Sequence, residues 1–313
     1  MKKTLPTRTI LLLFGSIPLK IRKAFFRAIF ILAYHFGEKN RLITLHNLIR
    51  SFPEKSLPEI SRIAKNVYLN LGTVAAEFFE IPYLTREDMA DWVKFEGLEN
   101  YTRALSKKKG ILLYTGHFGN WELMAACVGL QGTIINIIYR ALDNPVLEDF
   151  VEWFRTHTGH KVIPKGGAAR KIIKLLRKNE IIGILIDQNV SWREGVFVDF
   201  FGRPASTTTG LAALALQTGA SVVPAFIVRS EDGTYKIIIY EEVEITKTDD
   251  YEADLLENTQ RFTSIIEDIV REYPDQYFWL HQRWKTKKSQ VPADRRQGAG
   301  DLKRVTRNPQ RET

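Results

Sequence analysis

Short apolar runs alternate with helical patterns through the middle of the chain. Ile111 to Tyr114 reads as a buried strand, and Leu123, Met124, Cys127 and Leu130 follow at helical spacing. The alternation continues with a strand at Thr133–Tyr139, a helix at Pro145–Thr158, a short strand at Lys161–Ile163, a helix at Ala168–Lys178 and a strand at Ile181–Asp187. Gly195–Phe200, a helix at Thr208–Thr218 and a strand at Ser221–Val228 complete it. This order predicts a layered α/β domain in which helices flank a mixed sheet. Tyr235–Thr246 reads as a later, more exposed strand, and Asp250–Tyr273 as a long amphipathic helix. Ahead of the sheet, Ser56 and Glu59 make a capping box with Pro58 in the first turn. The helix they start carries Ile60, Ile63, Val67 and Leu71 inward and ends near Glu80. Its Glu77 and Glu80 read either as site carboxylates or as a solvated face. Thr85–Trp92 reads as a short capped helix and Val93–Gly97 as a short strand.

The first forty residues break this pattern. Thr9–Leu19 and Ala28–Gly37 are uncharged runs separated by Lys20, Arg22, Lys23 and Arg27. Neither approaches the roughly 18–20 residues of a spanning helix. Basic residues interleaved with Phe25, Phe26, Phe30 and Ile31 predict a helix lying in the headgroup layer, with a tilted span or a core helix as alternatives. Charge strengthens the membrane reading. Residues 1–50 hold ten Lys/Arg against Glu38 alone, and residues 285–313 hold nine against three acids, while the whole 313-residue chain carries +9. The basic ends call for an anionic partner. No zinc-finger spacing or RNA-recognition signature is present, so anionic membrane lipids are expected and nucleic acid is not. The lone Cys127 precludes an intramolecular disulfide.

Candidate chemistry concentrates where the first sheet strand meets its helix. The strand breaks at Gly116, so His117 stands at a strand-to-helix turn with Glu122 five residues on. A carboxylate on one imidazole nitrogen fixes the tautomer and leaves the other nitrogen as a general base. The backbone N–H groups of Gly119 and Asn120 are expected to point outward there, at the positive end of the helix, to receive a developing oxyanion. Taken alone, a His satisfied by backbone beside a surface Glu is the competing reading. Helical metal pairs use i, i+3 or i, i+4 spacing, so no metal is expected; His157 and His160 are not read as a metal pair either.

The full string Thr115-Gly116-His117-Phe118-Gly119-Asn120-Trp121-Glu122 resembles the His-x4-Glu signature of the bacterial lipid A biosynthesis acyltransferases, late acyltransferases of the lysophospholipid acyltransferase superfamily. Ile137-Ile138-Tyr139-Arg140 with Asn144-Pro145 is similar to the family's second block. Asp187-Gln188, then Phe200-Phe201-Gly202-Arg203-Pro204-Ala205 with Thr209-Gly210, resemble the third. Pro224 and Trp279-Leu280-His281-Gln282-Arg283-Trp284 also fit family patterns, so the likeness covers roughly residues 10 to 288.

The resemblance implies a glycerolipid acyltransferase-like α/β fold and a membrane-associated acyltransferase without cofactor. The donor would be acyl-acyl carrier protein, and the acceptor a hydroxyl of a glycolipid, a lipid A precursor. The place would be the cytoplasmic face of a bacterial inner membrane, with an N-terminal anchor. His117 would be the base and Glu122 its partner. Substrate-binding positions would be Arg140, Asp187, Gln188, Arg203, Gly119 and Asn120. Arg140 reads equally as a headgroup-binding guanidinium or a salt bridge to Asp143; Asp187 as a site residue or a turn cap; Arg203 as an anion ligand or a solvated loop cation. The basic side of Ala168–Lys178 reads as a solvated face or a docking surface for an acidic carrier protein. The late Trp279–Trp284 block suits either a membrane interface or an anchor on the core. Alternatives to lipid A are another lipid acceptor, of the phosphoinositide mannoside or ornithine lipid type, and a non-catalytic membrane-binding protein. Three segments are expected: a membrane-associating 1–50, a catalytic 51–288 and a disordered basic tail 289–313.

Overall fold

The computed structural model describes residues 13–140 and 144–291. Residues 292–313 of the expected disordered tail, the first four residues of the Thr9–Leu19 run and Asp143 therefore lie outside the described residues.

The described elements begin with the helices α1 (Leu19–Phe36), α2 (Glu38–Ser51) and α3 (Leu57–Glu77). Helix α3 starts as its capping box predicts, with the Ser56 N–H donating to Glu59 Oε2 at 2.8 Å. Next come α4 (Arg86–Trp92), β1 (Val93–Glu96), α5 (Leu98–Ser106), β2 (Ile111–Thr115), α6 (Trp121–Leu130), β3 (Ile135–Tyr139) and α7 (Pro145–Thr156). The remainder runs β4 (Lys161–Pro164), α8 (Ala169–Leu176), β5 (Ile181–Leu185), β6 (Gly195–Phe200), β7 (Arg203–Thr208), α9 (Gly210–Thr218), β8 (Ser221–Arg229), β9 (Tyr235–Ile239) and α10 (Tyr251–Glu272).

Seven strands form one sheet in the order β1-β9-β8-β2-β5-β3-β4. All neighbours are parallel except β8 and β9, so the sheet is mixed as expected. The expectation departs from the structure at Gly195–Phe200. That strand pairs antiparallel with β7 in a separate hairpin, which turns at Phe201-Gly202 and packs on α10. The family block around Arg203 is therefore largely a strand, where the pattern suggested a loop.

Alternate residues of the sheet feed two apolar layers, as a pleated sheet buried on both faces requires. On one face Leu112, Tyr114, Ile182, Val222 and Phe226 pack with α3, α8, α9 and α10. On the other, Ile111, Ile137, Ile181, Val223 and Ile227 pack with α4, α6 and α7. The described part of the N-terminal segment does not stand apart from this body. Helix α1 lies along α3, its Arg22 fully buried and paired with Glu80. No helix among the described residues is long and apolar enough to cross a membrane.

Candidate active site

Strand register builds the site. Strands β2 and β5 are adjacent and parallel, with Thr115 opposite Leu185. Two residues beyond each lie His117 and Asp187, so both side chains arise side by side at the carboxyl edge of the sheet, where α/β proteins commonly hold ligands. His117 Nδ1 lies 2.8 Å from Asp187 Oδ1, and the His117 backbone N–H donates to Oδ2 at 3.0 Å. One carboxylate thus grips both the ring and the backbone of the turn. A proton on Nδ1 donates to it and leaves the Nε2 lone pair outward. Gln188 Nε2 stands 3.2 Å from Nε2, and Trp121 packs against the ring in a T-shaped arrangement with centroids 5.2 Å apart.

Burial works against a charge on this imidazole. The Asp187 carboxylate, through its charge and its hydrogen bond, and the more distant Glu122 more than offset that, so the His117 pKa is raised above the ordinary histidine value. Burial likewise opposes ionisation of Asp187. His117, with smaller help from Arg283, still holds its carboxyl below the usual carboxylate range. The Tyr277 hydroxyl is buried beside Asp187 and pushed well above the phenolic range.

The bond to Nδ1 that the spacing assigns to Glu122 is therefore made by Asp187. Glu122, in the first turn of α6, points instead at Arg155 of α7, whose Nη2 donates to Oε1 at 2.5 Å. The physical reason is direction: a residue in the first turn of a helix projects beside that turn, whereas a residue off the neighbouring strand faces His117 directly. Sequence reasoning missed Arg155, which sits on an amphipathic helix with nothing local to mark it.

The Gly119 N–H departs from expectation, and the Asn120 side chain is turned inward. The Gly119 N–H does not face outward but donates to the Gln276 carbonyl at 2.8 Å. The Phe278 N–H donates to the His117 carbonyl at 3.0 Å, so residues 276–278 clasp the turn as a short antiparallel partner. The Asn120 side chain is buried, accepts the Leu123 N–H at 3.1 Å as the cap of α6, and donates to Glu77 at 3.0 Å. Gly119 has φ of 59°, and a Cβ there would stand 1.9 Å from the Ile227 carbonyl oxygen. Gly119→Ala is expected to cost about 2–4 kcal/mol in urea unfolding, from left-handed strain and overpacking together; a loss below about 0.5 kcal/mol would contradict this account of the turn.

Arg140 is exposed just past β3, at the same edge of the sheet. Arg203 begins β7 and stacks its guanidinium over Trp284 at 4.0 Å, so it is neither free nor on a loop. The late block anchors on the core. Trp279 and Trp284 are buried, and buried Arg283 donates to Ser206 O at 2.8 Å and to Thr207. His281 Nε2 accepts the Asn189 N–H at 2.9 Å, bracing the residue after Gln188. His157 bonds the Pro82 carbonyl and His160 spans Ile135 N and Ala125 O, both structural roles. The recess of about 570 Å³ near Lys107, Gly219 and Glu242 lies at the opposite, amino edge of β2 and holds none of these residues.

A histidine at the carboxyl edge of a mixed sheet, with its tautomer set by a buried carboxylate and its other nitrogen outward, is equipment for drawing a proton from a hydroxyl. A model of the family described as bacterial lipid A biosynthesis acyltransferase matches residues 7–286. The chain belongs to that family and is an acyltransferase. It is 30% identical over 264 residues to the lipid A biosynthesis lauroyltransferase of Escherichia coli, covering 84% of each chain. The palmitoleoyltransferase of the same organism is 27% identical, with 82% of each chain covered. A phosphatidylinositol mannoside acyltransferase of Mycobacterium tuberculosis is 29% identical over 160 residues, 49% of this chain and 50% of that one. The solved 1-acyl-sn-glycerophosphate acyltransferase of Thermotoga maritima aligns with a TM-score of 0.39 at 17% identity, over 82% of this chain and 98% of that one.

Proposed function

We propose that the protein moves a fatty acyl chain from acyl-acyl carrier protein to a hydroxyl of a lipid A precursor, with His117 as general base. The acceptor hydroxyl gives its proton to His117 Nε2 as its oxygen attacks the thioester carbonyl. The tetrahedral intermediate then expels the thiolate, which recovers that proton from the imidazolium, so no acyl-enzyme forms. Asp187 holds the ring in the reactive tautomer and stabilises the imidazolium. The Gln188 amide, a neighbour of Nε2, supplies a donor for the developing oxyanion once the acceptor hydroxyl takes its place. Glu122, neutralised by Arg155, keeps a second carboxylate near the base and fixes the start of α6. Arg140, exposed at the same edge, suits a phosphate or sugar headgroup.

The observation that carries this reading is the His117–Asp187 pair with Nε2 facing a donor amide. The test is transfer of a labelled chain from acyl carrier protein to lipid A precursors. Transfer only to phosphatidylinositol mannosides, which the relative matched over half of its length brings into view, would keep the mechanism and change the acceptor. Absence of transfer to any extracted lipid would overturn the reading.

Helix α1 gives the proposed enzyme its lipid surface. Ile21, Phe25, Ile29, Leu32 and Phe36 form one stripe along it, each between 42 and 81% exposed. Exposed Lys20, Arg27 and Lys39 flank that stripe. An apolar stripe with basic flanks matches a helix lying in an anionic headgroup layer on the cytoplasmic face of the inner membrane. Phe25→Ser with Leu32→Ser is expected to weaken binding to phosphatidylglycerol-containing vesicles at least about tenfold in a flotation assay, since each buried side chain contributes on the order of 1.5 kcal/mol. Unchanged flotation would remove α1 from the membrane contact.

A further inference from the structure

Glu77, the last residue of α3, is fully buried, and its carboxylate joins three elements. Oε1 pairs with Lys23 Nζ of α1 at 2.8 Å. Oε2 accepts from Asn120 Nδ2 at 3.0 Å and from the Tyr235 hydroxyl of β9 at 2.5 Å. Neither a site carboxylate in contact with the base nor a solvated face describes this residue; it is a junction. Asn120 is the cap of α6, and the next residue, Trp121, makes a T-shaped contact with the His117 ring. An unbroken series of contacts therefore runs from α1 through Lys23, Glu77, Asn120 and Trp121 to the base.

The seat of α1 is specific. Arg22 is buried beside Lys23, pairs with Glu80 and donates to the Phe14 carbonyl at 2.6 Å. Phe26 stacks on Phe79 with centroids 5.8 Å apart. Gly72 of α3 lets the two helices touch, for a Cβ there would stand 2.8 Å from Arg27 Cα. Lifting α1 would withdraw the cation from a fully buried carboxylate, and such a charge must then find new partners. Its remaining partners are the Tyr235 hydroxyl and the side chain that caps the motif helix.

We propose that Glu77 is a positioning residue that ties the seating of α1 to the geometry of the His117 turn, so that the rate of transfer depends on whether α1 is docked. This rests on the reading of His117 as the base. Because α1 also carries the exposed apolar stripe, whatever covers that stripe acts on the site through the same junction.

The test uses the full chain and two variants that disturb the seat by different means: Lys23→Met removes the cation, and Gly72→Ala wedges the helices apart without touching a charge. Hydrogen exchange across residues 117–123 is expected to rise roughly three- to tenfold in both, with α10 unchanged. In the transfer assay kcat is expected to fall by a similar factor at constant KM, and Lys23→Arg to restore both readouts. Exchange at 117–123 that stays at the wild-type rate in Lys23→Met and Gly72→Ala would overturn the coupling, as would a uniform rise in exchange with kcat unchanged, the behaviour of a brace for the whole fold. The exchange measurement needs no substrate, so it decides the coupling even if wild-type protein transfers nothing, an outcome that counts against the proposed reaction alone.

Discussion

His117→Ala is expected to lower acyl transfer by about 10²- to 10⁴-fold, the usual contribution of a positioned general base. The loss should fall on kcat, because the imidazole is half-buried at the end of β2 and contributes little surface for binding. The fold should survive. Gly116, Phe118 and Gly119 make the turn through backbone bonds, and residues 276–278 clasp it whether or not a ring is present. The check is single-turnover transfer beside a thermal melt. Activity within about threefold of wild type, with the fold intact, would remove His117 from the chemistry.

Asp187→Asn is expected to be nearly as damaging, on the order of 10³- to 10⁴-fold, because an amide at this position can leave the imidazole in the wrong tautomer. The pH profile separates this role from a merely structural one. The base works as neutral imidazole, so activity is lost as pH falls through the His117 pKa. Burial lowers that pKa but the facing Asp187 carboxylate raises it further, and the net shift is upward. The acid limb of wild-type kcat/KM should therefore lie above the ordinary histidine value, and in Asp187→Asn it should move to lower pH even as the plateau drops. Glu122→Gln, which leaves the Nδ1 bond in place, should move the limb less and cost less. A loss in Glu122→Gln as large as that in Asp187→Asn, with an equal displacement of the limb, would return the orienting role to Glu122.

The two assignments of the partner carboxylate mark where local reading ends. Spacing within the motif pointed to Glu122 because it is the nearest acid in sequence, and both residues are indeed at the mouth of the same turn. Asp187 lies 70 positions away. It was legible as an acid ending an apolar strand, a frequent functional position, and its partner was not, because nothing in an apolar run states which strand lies beside it. Glu77 shows the same limit from the other side. Its helical position was readable, but whether that face meets water or Lys23, Asn120 and Tyr235 depends on α1 and β9 closing over it.

By itself the sequence determined most of the elements and the motif. Helical spacing, the capping box at Ser56, the capped start at Thr85 and the break at Gly116 act over a few residues and reappear in the structure, whereas the strand at Arg203–Thr208 and the inner, buried place of Tyr235–Ile239 did not show in the pattern. Family membership was legible for a related reason, since an ordered set of short motifs survives in the linear string. Tertiary structure alone decided the pairing of β2 with β5, the withdrawal of Gly119 and Asn120 into internal hydrogen bonds, and the joining of α1 to the motif helix through Glu77. Each of these joins residues far apart in the chain. Strand order and helix docking are selected by burial of whole apolar faces, a non-directional force that no single residue or spacing encodes.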